Sequence, residues 1–219
     1  VKKIVDHLPA SVRELWAGLD SEVTQLHARW IIYRQLYGTS EERVDLLNES
    51  ASSVFAALQD VWLHDVQLCL SKLDDPAGSG SRTNMTLEAL HQALVSTGEA
   101  AAAAKLAACL PAFHAACGKI RHRRNKWIAH FDQATMLSAD PRMSASRDEV
   151  ETALEAVRDA MNAVSVHYAD GGIAYEHTAL QADGDALIYR LRQGLRYREL
   201  VQAGSIPWSD FHTRFNAGE

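Results

Sequence analysis

The chain has 219 residues, 47% of them hydrophobic and 23% charged, with a formal net charge of −6. That length suits one domain, or one domain with a small appendage, and the apolar share fills a core without help from disulfides or metals. The acidic balance argues against a protein coated in nucleic acid, although a cleft focuses its own field and a local basic site stays open.

Cys69, Cys109 and Cys117 lie in apolar Ala/Leu-rich stretches. Three cysteines without paired spacing give neither a disulfide framework nor a zinc knuckle, and they read as small buried hydrophobes. No apolar run reaches the roughly 18 to 20 residues of a bilayer span. Val1 to Asp6 carry no signal-peptide stretch, so the expectation is a cytoplasmic protein without membrane association.

Taken in order, the segments predict helices. Pro9 and Ser11 open the first, and Leu15, Leu19, Val23, Leu26, Trp30 and Tyr33 recur at spacings of three and four before Gly38 closes it. Thr39 and Ser40, followed by Glu41 and Glu42, start the second. Its stripe runs Val44, Leu47, Ala51, Val54, Phe55, Leu58, Val61, Trp62, Val66, Cys69, Leu70 and Leu73 until Asp74, Asp75 and Pro76 stop it. Gly78 to Asn84 has the composition of a flexible, solvated loop.

A third helix starts near Thr86 and continues through the alanine run Ala100 to Ala104, with Pro111 expected to break or kink it. A fourth runs from about Ala112 through Ala129. Ser146 and Glu149 make a capping box for a fifth, with Val150, Leu154, Val157, Met161, Val164 and Tyr168 inward. Gly171 and Gly172 end it, and residues 173–182 read as irregular. Asp183 to Gln202 reads as one more helix, with Ile188, Leu191, Leu195 and Leu200 inward. From Ser205 the composition is that of turns, with Trp208, Phe211 and Phe215 either exposed or docked. No strand pairs, repeat or glycine-rich phosphate loop are visible. The expected fold is all-α, a helical bundle on two long antiparallel N-terminal helices, with residues 1–170 as the bundle and 171–219 as a C-terminal helical extension packed on the same domain.

One segment carries chemistry. Lys119, Arg121, Arg123, Arg124 and Lys126 are five fixed positive charges with no acid among them, and His130 follows. On an ideal helix Arg123, Lys126 and His130 lie close to one face, while Ile120, Trp127 and Ile128 anchor it. Taken alone, such charges also complement the dipole at a helix C-terminus.

Arg124-Asn125-Lys126-Trp127-Ile128-Ala129-His130 resembles the Arg-polar-x(4–6)-His motif of the HEPN superfamily. With Trp30 to Gly38 (WIIYRQLYG) and Asp65 to Pro76 (DVQLCLSKLDDP) in the expected order, the chain resembles the AbiU-type abortive-infection branch over roughly residues 11–170. The resemblance implies a metal-independent endoribonuclease, of a defence or toxin-antitoxin type, in which the 2′-hydroxyl attacks the adjacent phosphorus. His130 titrates near neutrality and suits proton transfer. Arg124 is a planar cation that suits the phosphorane. Asn125 would orient the phosphate or the histidine, and Lys126 and Arg123 would bind flanking phosphates. The resemblance further implies a homodimer with a composite site, RNA or nucleotide as ligand, no metal or other cofactor, and an antitoxin or regulatory partner. Asp132 stands where many relatives under nucleotidyltransferase control carry a tyrosine, so control by tyrosine modification there is not expected. Asp132 is instead placed to pair with His130. The alternative is a non-catalytic HEPN module that binds RNA, nucleotide or a protein partner through the same helix.

Other residues carry less. His114, His122 and His130 are eight apart and drift by about 80° per step on a helix, too far for one compact metal site. Asp65, beside His64, is placed to support the basic site across the bundle, or else is a surface acid. Asp74 and Asp75 read as helix terminators. Trp16, Trp30, Tyr33, Tyr37 and Trp62 stand at helical spacing, which favours core over base stacking.

Overall fold

A computed structural model of the chain describes residues 4–128, 145–169, 171–207 and 209, without the side chains of Ser79, Trp127 and Ile128. Among the described residues there are six α-helices: α1 (Ala10–Tyr37), α2 (Glu41–Leu73), α3 (Leu87–Ser96), α4 (Ala100–Arg123), α5 (Arg147–Tyr168) and α6 (Gly184–Gln202). Short 3-10 turns lie at Ile4–Asp6 and Tyr175–His177, and α4 runs on into a π-helical turn at Arg124–Ile128. The fold is all-α, as the periodicity predicts.

The described residues divide into two compact units. One takes in those of Val1–Trp30 and Trp62–Ala179, the other those of Ile31–Val61 and Leu180–Glu219. This division differs from one at 170/171, and the side chains give the reason. Asn162 on α5 holds Ile173 by both backbone groups, donating to its carbonyl at 3.0 Å and accepting from its amide at 2.6 Å. The buried Tyr175 donates its hydroxyl to Asp20 on α1 at 2.6 Å and stacks its ring on His27. Residues 171–179 therefore stay with the first unit.

In the first unit Val12, Trp16, Leu19, Val23 and Leu26 of α1 are buried, as are Val66, Leu70 and Leu73 of α2. The two stretches run antiparallel: Arg29 reaches Asp65 and Cys69, while Glu22, seven residues earlier, shares a cavity wall with Cys69 and Lys72. Leu87, Leu90 and Leu94 of α3, Leu106, Phe113 and Ile120 of α4, and Val150, Val157 and Val164 of α5 complete this core. Both halves of the Ser146–Glu149 capping box are present at the start of α5.

In the second unit Tyr37, Leu47, Phe55, Ile188 and Val201 are buried, and the Tyr37 hydroxyl donates to the Phe55 carbonyl at 3.0 Å. Gly184 at the start of α6 sits against Gln35. Its amide donates to Gln35 Oε1 at 2.9 Å, and an added Cβ would stand 2.8 Å from Gln35 Cβ and 3.2 Å from the Ile32 carbonyl oxygen. Only glycine allows that approach. Asp183 caps α6 and accepts from Gln35 at 2.7 Å, and Arg43 pairs with Asp185 at 2.5 Å.

Four local expectations are corrected. Pro111 does not break α4, because the buried Leu110 and Phe113 on either side hold it in the core. The break falls instead at Gly98, which takes φ +80°, a left-handed conformation suited to glycine. Helix α2 is interrupted at Ala51 (φ −166°, ψ 73°), which resets the register, and Val54, Leu58 and Val61 of the expected buried stripe are exposed. Residues 78–84 are not a loose loop: Gly78–Ser79 and Arg82–Thr83 pair as a short antiparallel β-hairpin. Asn84 closes its base, its amide donating to the Ala77 carbonyl at 2.8 Å and its side chain to the Pro76 carbonyl at 2.9 Å. Finally, residues 100–126 are long and apolar enough by length and composition to cross a membrane, yet their Leu106, Leu110, Phe113 and Ile120 pack inside the first unit.

Candidate functional site

The end of α4 meets the end of α2, where a basic run faces two acids. The α2 helix stops at Leu73, so Asp74 and Asp75 lie where the chain turns, and both point their carboxylates at α4. Asp74 is almost wholly buried, its side chain 1% exposed. It accepts from Arg121 Nη1 at 2.9 Å and is bound to His114 Nδ1, while its backbone carbonyl accepts from the same Arg121 nitrogen at 3.0 Å. The imidazole is thereby fixed by Nδ1, leaving Nε2 on a half-exposed side chain. Asp75 takes Nη2 of Arg124 and lies 3.8 Å from Nη2 of Arg121. Two carboxylates thus alternate with two guanidiniums, so each charge has an opposite neighbour as it leaves water.

The π-helical turn decides which arginine points where. Hydrogen bonds from i to i+5 give more residues per turn than an α-helix, so a wheel of 100° per residue does not extend past Arg123. Arg123 faces inward, only 8% exposed. Its Nη1 donates to Gln67 Oε1 at 2.7 Å and its Nη2 contacts His64 Nε2 at 3.0 Å. A guanidinium only donates, so that imidazole nitrogen accepts. Arg123 is a buried brace between α4 and α2 and is not placed to bind flanking phosphates. Arg124 takes the outward position. Its Nη2 is held by Asp75, and its Nε is shielded from solvent without a hydrogen-bond partner. Asn125 is exposed and Lys126 half-buried.

Asp65 does not support the basic run. It pairs with Arg29 of α1 at 2.6 Å, and the same guanidinium nitrogen lies 3.1 Å from Cys69 Sγ. His130 and Asp132 lie outside the described residues. Trp16, Trp30, Tyr33 and Tyr37 are buried, in keeping with core rather than base stacking, and Trp62 is partly exposed. Burial and the nearby Asp74 carboxylate push the Cys117 thiol up, so it stays a protonated hydrophobe against the Leu70 carbonyl. At the neighbouring start of α5, the hydrogen bond from Lys119 and the Ser146 amide hold Glu149 below its usual range. Among the described residues no three His, Cys, Asp or Glu side chains converge as a metal-holding group.

A cavity of about 480 Å³ opens beside this site. Its wall includes Glu22, Cys69, Lys72, Leu73, Asp75 and Met85, so Asp75 is shared between the cavity and Arg124. Reasoning from sequence missed Asp74, Asp75, His114 and Arg121 as parts of one network. The available signal was charge balance: a run of cations with no acid among them needs counter-charges from elsewhere, and the paired acids before Pro76 supply them.

Comparison with known proteins gives one match. The sequence model of HEPN_AbiU2, described as AbiU2, matches residues 10–189, which include α1 to α5, the π-helical turn and the paired acids. No curated protein and no solved structure matches the chain.

Proposed function

Since the chain belongs to the AbiU2 family of HEPN proteins and is a HEPN-type abortive-infection module, we propose that it is a metal-independent endoribonuclease. Arg124 holds the scissile phosphate, and His130 moves the proton. The 2′-hydroxyl of RNA attacks the adjacent phosphorus, its proton passes to the imidazole, and the bond to the 5′-oxygen breaks to leave a 2′,3′-cyclic phosphate. The pentacoordinate phosphorane carries extra negative charge, and a guanidinium fixed in advance stabilises it without reorganising. Two copies of the chain place two such motifs in one composite site. Asn125 and Lys126 serve as positioning and phosphate-binding residues. The module acts in the cytoplasm under an antitoxin or regulatory partner.

The observation that carries this reading is the state of Arg124. Asp75 aims the side chain through Nη2, while Nε is withdrawn from water with no acceptor. A desolvated donor of this kind is costly unless a ligand oxygen completes it. The second reading, a module that binds RNA, nucleotide or protein without cutting it, is favoured by the same ion pair, because Asp75 already neutralises the cation. One experiment separates them: incubation of cellular RNA with purified protein in EDTA, beside Arg124→Ala and His130→Ala. Cutting by the wild type alone, with cyclic phosphate ends, supports the nuclease. Salt-dependent RNA binding by the wild type with no cutting supports the binding module. Sedimentation of the same samples reads the homodimer.

A further inference from the structure

The cavity next to Arg124 has a chemistry of its own. Its floor is apolar, formed by Leu73, Cys69 and the thioether of Met85. Met85 lies over Gly18 of α1, where an added Cβ would come within 2.5 Å of the sulfur, so the missing side chain is what lets Met85 close the wall. A flat, polarisable floor of this kind suits the face of an aromatic ring. The rim is polar and carries both signs, Glu22 from α1 and Lys72 from α2. The two form no ion pair with each other, although both line the same cavity. A volume of about 480 Å³ lies within the range of small-ligand sites.

We infer that this cavity binds a guanine base. Guanine presents two adjacent N–H donors, on N1 and N2, which match a carboxylate, and beside them the O6 acceptor, which matches an ammonium. Adenine would set its ring nitrogen lone pair against Glu22 and its amine against Lys72. Cytosine sets a lone pair between its amine and its carbonyl, and uracil offers a single N–H flanked by two carbonyls. Neither pyrimidine can give the carboxylate two neighbouring donors. A site that hydrogen-bonds an edge rejects analogues lacking it, because its own groups are then left unpaired. Asp75 places the site in the reaction. It lines the cavity and holds Arg124, so base and phosphate of one nucleotide reach the cavity and the guanidinium together. That last link rests on the ribonuclease reading, whereas recognition of the base does not.

Calorimetric titration of the full chain with GMP, AMP, CMP and UMP tests the inference, beside Glu22→Gln and Gly18→Ala. GMP is expected to bind at least about tenfold more tightly than the other three, a difference of about 1.4 kcal/mol. Glu22→Gln should remove that preference while leaving the melting temperature unchanged, and Gly18→Ala should weaken GMP by displacing Met85. Equal binding of all four nucleotides, no binding of any, or a GMP preference that survives Glu22→Gln overturns it. Sequencing of RNA ends produced by the wild type keeps the two proposals apart. GMP preference in a chain that cuts no RNA leaves the guanine site standing and removes the nuclease. Cutting without guanine at the cleaved position, together with equal nucleotide binding, removes the guanine site alone.

Discussion

His27 offers a test of the packing that holds residues 171–179 in the first unit. It lies on α1, 5% exposed, with its ring stacked 5.7 Å from that of Tyr175. Burial lowers its pKa from 6.5 to about 4; Glu176 and a hydrogen bond to the Leu154 backbone pull upward, and Arg158 adds to the lowering. A histidine with a depressed folded-state value contributes stability that is complete above the unfolded value and lost as pH falls toward the folded one. Between the two values the unfolded chain holds a proton that the folded chain does not, so stability rises with pH. The whole gap corresponds to about 3 kcal/mol, of which about 2 kcal/mol falls between roughly pH 7 and roughly pH 5. Urea denaturation of the wild type and His27→Leu at those two pH values isolates the effect, since every other titrating group is common to both. The wild type should lose about 2 kcal/mol more than the variant. Equal losses in the two proteins would refute the buried neutral imidazole and the packing that produces it.

Other outcomes follow from particular contacts. Arg123→Met should lower stability by about 2 kcal/mol by orphaning Gln67 and His64, whereas Asn125→Ala on the exposed next turn should leave the melting curve in place. Phe113→Ala, at a fully buried position of α4, should cost about 3 to 5 kcal/mol in chemical denaturation. Asp75→Asn should release Arg124 for phosphate and raise RNA affinity at low salt, with a steeper salt dependence than the wild type; an unchanged slope would mean that Arg124 does not meet the backbone. Gly184→Ala should cost about 1 to 3 kcal/mol because its Cβ meets Gln35 and displaces the side chain that caps the amide, read as a loss of thermal stability.

The sequence by itself determined the elements and the family. Leu19, Val23, Leu26 and Trp30 announced α1 through spacing alone, because a helix that must bury one face needs apolar residues at every third or fourth position, whatever it packs against. The Ser146–Glu149 box was equally local, since both of its hydrogen bonds close within one turn. The Arg124 to His130 motif, with its two upstream segments, named the family over the stretch that the comparison matches. What the tertiary structure decided was the use of each charge. Arg123 and Arg124 are neighbours of one residue type, yet one is a buried brace and the other a site residue, because the π-helical turn that parts them is settled by packing rather than composition. Asp74 and Asp75 read as helix terminators because nothing local reveals that the end of α2 stops beside the end of α4. Pro111 stayed helical because burial on both sides outweighs the single hydrogen bond it removes. Period and capping act over a few residues and are written in the chain, whereas counter-charges and helix register depend on partners forty or more positions away and appear only once the chain has folded.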